Sequence, residues 1–144
     1  MEQQNYANHR QIVPLYHFWL FGILVLTFLG SLVNLYQSIG DHQRLYSASL
    51  ITVTLVAMFL LFFLCRTFAL KAQDRAIRAE ESLRHYVLTG KLPDARLTVR
   101  QIVGLRFASD EEFPALAQRA AAEGLSEDEI KRAVKNWRAD TYRV

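Results

Sequence analysis

The fold of this 144-residue chain is decided by two stretches, LYHFWLFGILVLTFLGSLVNLY at residues 15–36 and YSASLITVTLVAMFLLFFLC at residues 46–65. Neither stretch contains an Asp, Glu, Lys or Arg residue. Each is long enough to cross the roughly 30 Å hydrocarbon core of a membrane, which takes about 20 apolar residues in a helix. The two stretches therefore predict transmembrane helices, joined as a hairpin by the short segment 37–45.

A pair of buried core helices in a soluble protein is the alternative interpretation. A helix of that kind carries its apolar residues on one stripe, whereas Phe59–Leu64 is apolar on every side. The rest of the chain also offers too little apolar surface to enclose two such helices. Tyr16, Trp19, Tyr36 and Tyr46 lie near the ends of the stretches, as aromatic residues do at the headgroup level of a membrane. The sequence therefore favours the membrane hairpin.

The basic residues outside the two spans predict their orientation. The loop carries Arg44 as its one Lys or Arg, whereas four follow the second span: Arg66, Lys71, Arg75 and Arg78. Because positive residues in short flanks stay in the cytoplasm, both termini are predicted to be cytoplasmic. The same four side chains are candidates for contact with anionic lipid headgroups. The first span is longer than the apolar part of a signal peptide, so it is expected to remain as an anchor.

Small and polar residues in the spans predict how the two helices pack. On the first helix they fall on one face, and on the second they cluster in the same way. Small residues let membrane helices approach closely, and an amide can form a hydrogen bond across the interface. An oligomer interface or a ligand site on these faces is the alternative. The predicted interspan residues are Thr27, Gly30, Ser31, Asn34, Ala48, Ser49 and Thr52.

The second span is predicted to continue as a helix through residues 66–90, because no helix breaker precedes Gly90 and Pro93. Along this extension a row of residues alternates in spacing between three and four, which is how one helix meets another. Self-association, a partner helix from another protein and packing against the C-terminal part of the chain all remain open. The row consists of Ala69, Ala72, Ala76, Ala79, Leu83 and Tyr86.

Residues 91–144 predict a small bundle of about three short helices. Thr98 with Gln101 and Ser126 with Glu129 have the spacing of capping boxes. They predict helices at Val99–Phe107 and Glu127–Arg138, and a third helix between them ends at Gly124. The domain organisation is then a tail at 1–14, a hairpin at 15–65, the extension at 66–90 and this C-terminal region. The fold class is an all-α membrane protein.

The average composition conceals this division. Apolar residues make up 51% of the chain and the net charge is +3, while the mean hydropathy is +0.06. These values exclude a disordered chain, and the presence of only one cysteine excludes an internal disulfide framework. No nucleotide loop, metal-ligand spacing or catalytic motif is present in the sequence, so no catalytic, cofactor or metal residue is predicted.

The region after Cys65 holds 15 of the 17 Lys and Arg residues. Basic residues near Trp137 are a pattern that nucleic-acid binding could use. The 12 acidic residues of the same region reduce its net charge to +3, so a dominant basic field is missing. Nucleic acid is therefore an unfavoured partner. Membrane lipids and protein, either a second copy or another membrane protein, are the predicted partners.

The segments RQIVGLRFASDEE and IKRAVKNWRADTYRV, behind a two-span hairpin, resemble a family of small uncharacterised bacterial membrane proteins. The resemblance implies a multi-pass protein of the bacterial inner membrane, and it carries over no activity. We therefore expect a non-enzymatic anchor or assembly subunit that binds protein through its cytoplasmic helices. An accessory subunit of a membrane enzyme or transporter, and a membrane-tethered nucleic-acid binder, are the alternatives.

Overall fold

The computed structural model describes residues 4–140, and that part of the chain forms five helices and no strand. The all-helical fold is therefore confirmed. The first two helices are long and apolar enough to cross a membrane. The helices are α1 at Leu15–Gln37, α2 at His42–Thr89, α3 at Val99–Leu105, α4 at Phe113–Glu123 and α5 at Glu127–Ala133.

The chain divides into two compact units, and α2 contributes to both. One unit is the helical hairpin, Ile12–Phe68. The other unit contains residues 69–140, together with residues 4–11 from the beginning of the described chain. The extension of α2 beyond the hairpin is thus part of the same folded unit as the three short helices.

A tight turn closes the hairpin where the sequence predicts one. Gly40 has a φ of 100°, a conformation that side chains with a Cβ rarely adopt. Asp41 accepts a hydrogen bond from the backbone nitrogen of Arg44 at 3.1 Å, which is the geometry of a helix N-cap. The turn therefore ends α1 and starts α2 within four residues, Ser38 to Asp41.

Helix α2 is continuous over 48 residues, so the predicted extension of the second span is confirmed. It ends at Gly90, whose φ is 71° and whose backbone nitrogen donates to the Tyr86 carbonyl oxygen at 2.8 Å. A glycine in the left-handed conformation is a common helix stop, because it lacks the Cβ that would clash there.

The three short helices enclose a small apolar core. Its most deeply buried side chains are Leu105, Phe107, Phe113 and Ile130. Helices α3 and α5 approach each other at Gly104, where an added Cβ would lie 3.0 Å from the Glu127 carbonyl oxygen. The close approach explains why a glycine occupies the middle of α3.

Both predicted capping boxes are confirmed. Thr98 and Gln101 form one at the start of α3, and Ser126 and Glu129 form the other at the start of α5. Helix α4 ends before Gly124, which has a φ of 66°, as predicted. The side chains of the two capping boxes satisfy backbone N–H groups that would otherwise lack partners.

The predicted end of α5 at Arg138 is wrong, because the helix ends at Ala133 and Val134 is extended. The chain then pairs with the segment after α3. The Arg138 nitrogen donates to the Phe107 carbonyl oxygen at 2.8 Å, and Ser109 donates to the Asn136 carbonyl oxygen at 3.1 Å. Helix α3 likewise ends at Leu105 rather than at Phe107. Backbone pairing at this point replaces helical hydrogen bonds.

The segment before α1 docks on the C-terminal helices, a contact that the sequence did not predict. The Tyr6 hydroxyl donates to Asp128 at 2.6 Å and accepts from Arg132 Nε at 3.1 Å. The Gln4 side chain accepts from the backbone nitrogen of Asp140 at 2.7 Å. The predicted tail at 1–14 is therefore divided, since residues 4–11 belong to the unit of the short helices.

Candidate interaction surface

The extension of α2 packs against the short helices through one face. Ile77 and Glu81 are buried there, and the Arg84 side chain is 11% exposed. Arg84 donates from Nε to Asp110 at 2.7 Å and from Nη2 to the Ala108 carbonyl oxygen at 2.7 Å. Its guanidinium also lies 4.5 Å from the centroid of the Phe113 ring, a cation–π distance. Arg84 therefore joins α2 to the segment between α3 and α4.

Glu81 is the carboxylate of this packed face. It accepts a hydrogen bond from Arg84 Nη1 at 2.8 Å, and Arg138 lies 3.6 Å from its second oxygen. Burial raises the pKa of Glu81 above its usual value of 4.5, and the attraction of Arg84 and Arg138 only partly opposes this effect. Loss of hydration disfavours the charged carboxylate, which explains the direction.

The opposite side of the extension is exposed. We call Ala72, Ala76, Ala79, Leu83 and Tyr86 the outer row; Leu83 is 64% exposed and Tyr86 is 52% exposed. Val87, beside the row, is 74% exposed. Successive residues of a helix turn by about 100°, so Ala79 lies about 160° around α2 from Ile77.

This placement answers one question that the sequence left open. The C-terminal helices pack on the face of Ile77 and Glu81, whereas the outer row does not contribute to that contact. Ala69, the first residue of the predicted row, is half-buried, and the five residues of the outer row are exposed. The short helices cover the face of Ile77 and Glu81 instead, and Arg84 holds that face by its contacts with Asp110 and Ala108.

The predicted interspan residues divide into two groups. Ser31 and Ala48 are buried between α1 and α2, Ser49 and Thr52 are half-buried, and Thr52 Oγ1 lies 3.5 Å from the Ser31 carbonyl oxygen. The other three residues lie on an exposed side of α1: Thr27, Gly30 and Asn34. A Cβ added at Gly30 would meet nothing within 4 Å.

Large aromatic residues hold the hairpin together instead. The Phe59 ring lies 6.3 Å from that of Phe21 and 5.6 Å from that of Phe28, both edge to face. Tyr16 stacks on Phe62 at 4.3 Å and donates its hydroxyl proton to the Phe62 carbonyl oxygen. These ring contacts join α1 to α2. The alternating spacing of Phe21, Leu24, Phe28 and Ser31 was the signal that could have found this face.

A groove lies at the Tyr16 end of the hairpin. Its volume is about 310 Å³, and the first six residues of α1, Leu15–Leu20, form a π-helical turn beside it. Arg66 is half-buried in the groove, whereas Lys71, Arg75 and Arg78 are exposed on α2. Aromatic walls and a cation suit an amphiphile with an anionic head. The lining residues are Tyr16, His17, Phe21, Phe62, Phe63, Arg66 and Thr67.

The basic side chains of α5 and of the residues after it are largely paired with acids. Lys131 lies 2.6 Å from Glu127, Arg132 lies 2.9 Å from Asp128, and Arg138 approaches Glu81. Trp137 packs on Phe107 with ring centroids 4.9 Å apart. The predicted mixture of basic and aromatic side chains is thus engaged within its own unit. Among residues 4–140, no three His, Cys, Asp or Glu side chains lie together as metal ligands would.

Comparison with known proteins extends the resemblance found in the sequence. The chain matches neither a curated protein nor a solved structure. A family model described as a family of unknown function, DUF6526, matches residues 1–144. Since the match covers the whole chain, the protein belongs to the family of unknown function DUF6526.

Proposed function

We propose that this protein is a non-enzymatic anchor of the bacterial inner membrane that binds another protein chain through the extension of α2. In this proposal α1 and α2 cross the membrane, both termini are cytoplasmic, and the short helices brace the extension. The exposed outer row is the binding surface. The proposal assigns no catalytic role, cofactor or metal to the protein.

The observation that carries the proposal is the position of the outer row. The extension already has one packed face, at Ile77 and Glu81, so the row is not needed for folding of its own unit. Leu83, Tyr86 and Val87 nevertheless expose apolar side chains next to one another. A contiguous apolar surface of this kind is typical of a binding site, because water disfavours it until a partner covers it.

Membrane insertion is supported by the surface of the hairpin. Most apolar side chains of α1 and of the first half of α2 are exposed, among them Leu26, Val53 and Leu60. In water such a surface would be very costly, whereas lipid tails solvate it. Several basic residues follow the hydrophobic part of α2, whereas the loop has Arg44 alone. This difference favours cytoplasmic termini.

Lipid contact belongs to the same proposal and centres on the groove at Arg66. Arg66 is half-buried and lines the groove, whereas Lys71, Arg75 and Arg78 are exposed and do not line it. Arg66 is therefore the main headgroup contact in this proposal. Replacing Arg66 by Gln should lower the amount of anionic lipid that copurifies, measured by native mass spectrometry, more than Lys71→Gln does. If the two variants retained equal amounts of anionic lipid, this would contradict a lipid site in the groove.

The nucleic-acid alternative has no specific observation in its favour, since Lys131, Arg132 and Arg138 near Trp137 pair with acids. An accessory role in a membrane enzyme or transporter would use the same outer row, with the enzyme as the bound partner. The alternative site between the spans loses its proposed residue, because Asn34 is exposed rather than enclosed by the hairpin.

Site-specific photocrosslinking in native membranes tests the proposal. A photoreactive phenylalanine derivative in place of Tyr86 should form a crosslink to a protein chain. The same group in place of Arg78, which is exposed outside the row, is the matched control and should crosslink much less. A row that binds no protein would give equal, low yields at both positions.

A further inference from the structure

We infer that the partner of the outer row is a second copy of this chain, whose α2 lies parallel and in register, with Arg75 of each copy facing Glu80 of the other. This inference rests on the proposed function, because it names the occupant of the same surface. It is carried by the spacing of the row, the charges beside it and the direction in which anchored helices leave a membrane.

The row has the spacing of a two-stranded coiled coil. Ala72, Ala79 and Tyr86 follow one another at seven residues, and so do Ala76 and Leu83. In heptad notation the first three are d positions and the other two are a positions. The exposure of all five residues leaves these positions accessible to a facing helix.

The charges beside the row select the orientation of that helix. Arg75 precedes an a position and is therefore a g residue, and Glu80 follows a d position and is an e residue. In a parallel coiled coil a g residue faces the e residue five positions later in the partner. Arg75 of each copy then faces Glu80 of the other, which gives two opposite-charge pairs. An antiparallel arrangement would place g beside g and e beside e, and it would lose both.

The membrane selects the same orientation independently. Two copies that insert with the same topology send their α2 extensions into the same compartment and in the same direction. Their helices can therefore meet in parallel without any change in topology. Each copy's own short helices pack on Ile77 and Glu81, away from the row, so the two folded units do not compete for the contact.

Disulfide formation provides the measurement, since the chain has one cysteine, Cys65. In full-length protein with Cys65→Ser, Ala79→Cys should form an intermolecular disulfide when membranes are oxidised, because equivalent d residues face each other. Arg78→Cys, one residue away and outside the row, should form little. Both positions are exposed, so neither change disturbs the core. Equal yields from the two cysteines would overturn the inference.

Charge exchange tests the register. Arg75→Glu alone, or Glu80→Arg alone, converts both pairs to like charges and should weaken self-association about tenfold. Coexpressing Arg75→Glu chains with Glu80→Arg chains recreates both opposite-charge pairs. The mixture should therefore form heterodimers, detected by Ala79→Cys disulfides between differently tagged chains. Failure of the mixture to pair better than either variant alone would overturn the parallel register.

The outcomes separate this inference from the proposed function. If the Tyr86 photocrosslinker captures a different protein and Ala79→Cys gives no dimer, self-association is wrong while protein binding stands. If the photocrosslinker captures nothing and Ala79→Cys gives no dimer, both are wrong. Both the self-association and the proposed function are supported if Ala79→Cys forms a disulfide whose yield falls in either charge variant and recovers in their mixture.

Discussion

Arg84 Nη2 lies 2.6 Å from a carboxylate oxygen of Asp110, so one ion pair fastens α2 to the segment that precedes α4. The same guanidinium holds Glu81 and the Ala108 carbonyl oxygen. This side chain fixes which face of the extension is used for folding. The opposite face is thereby left for a partner.

Replacing Arg84 by Ala should destabilise the unit formed by α2 and the short helices. The change leaves Glu81 buried without its nearest cation, and breaking a buried ion pair in this way costs about 3 kcal/mol. We expect faster hydrogen exchange in α3–α5 of the full-length protein in detergent. Arg100→Ala is the control, because the Arg100 side chain is 73% exposed and its pair with Glu127 is 3.5 Å long. Equal exchange in the two variants would contradict the role given to Arg84.

The raised pKa of Glu81 predicts a dependence of stability on pH. Because the folded state binds the proton more tightly than the unfolded state, the stability from this group is fully present below the usual value of 4.5. It is lost as the pH rises through the higher pKa of the folded state. Glu81→Gln should remove this part of the pH dependence of unfolding. Glu123→Gln, at an exposed position, should preserve it, and an unchanged slope in Glu81→Gln would refute the assignment.

Gly104 tests the contact between α3 and α5. An alanine Cβ there would lie 3.0 Å from the Glu127 carbonyl oxygen and 3.3 Å from Ile130 Cγ2. We expect Gly104→Ala to lower the free energy of unfolding by about 1–3 kcal/mol through overpacking. Gly22→Ala, where a Cβ meets nothing within 4 Å, is the matched substitution and should change it little. If both variants unfold alike, the helices are not closely packed at this point.

Tyr6 tests the docking of the segment before α1. Its hydrogen bond is the largest cause that lowers the pKa of Asp128, and Arg132 contributes less. Tyr6→Phe should therefore raise that pKa towards its usual value and release residues 4–11, so that trypsin cleaves faster after Arg10. In the unaltered protein, the stabilisation by ionised Asp128 should be lost as the pH falls through its lowered pKa. Cleavage at the same rate as in the control Tyr36→Phe would argue against docking.

The sequence predicted the ends of most helices, because those ends depend on local chemistry. Gly40, Gly90 and Gly124 adopt positive φ values, and the side chains of Thr98 and Ser126 cap their helices. Each of these signals acts within a few residues. They can therefore be read before any tertiary contact is known.

The errors arose where distant parts of the chain compete for the same residues. The apolar stripe that includes Val134 and Trp137 suggested a longer α5. The helix ends earlier because the backbone after it pairs with Phe107 and Ser109. Gly30 and Asn34 suggested a close helix contact, yet Phe28 and Phe59 provide it. The heptad spacing of the outer row was visible in the sequence, whereas its exposure depended on which face Arg84 and Ile77 turn towards the core.

The accessibility of position 79 in native membranes shows whether a protein covers the outer row. In the Cys65→Ser background, the rate of maleimide labelling is compared for Ala79→Cys and Arg78→Cys, before and after solubilisation and dilution in detergent. We expect Ala79→Cys to be labelled slowly in membranes and to become as reactive as Arg78→Cys once the partner dissociates. Rapid and equal labelling of both cysteines in intact membranes would contradict it.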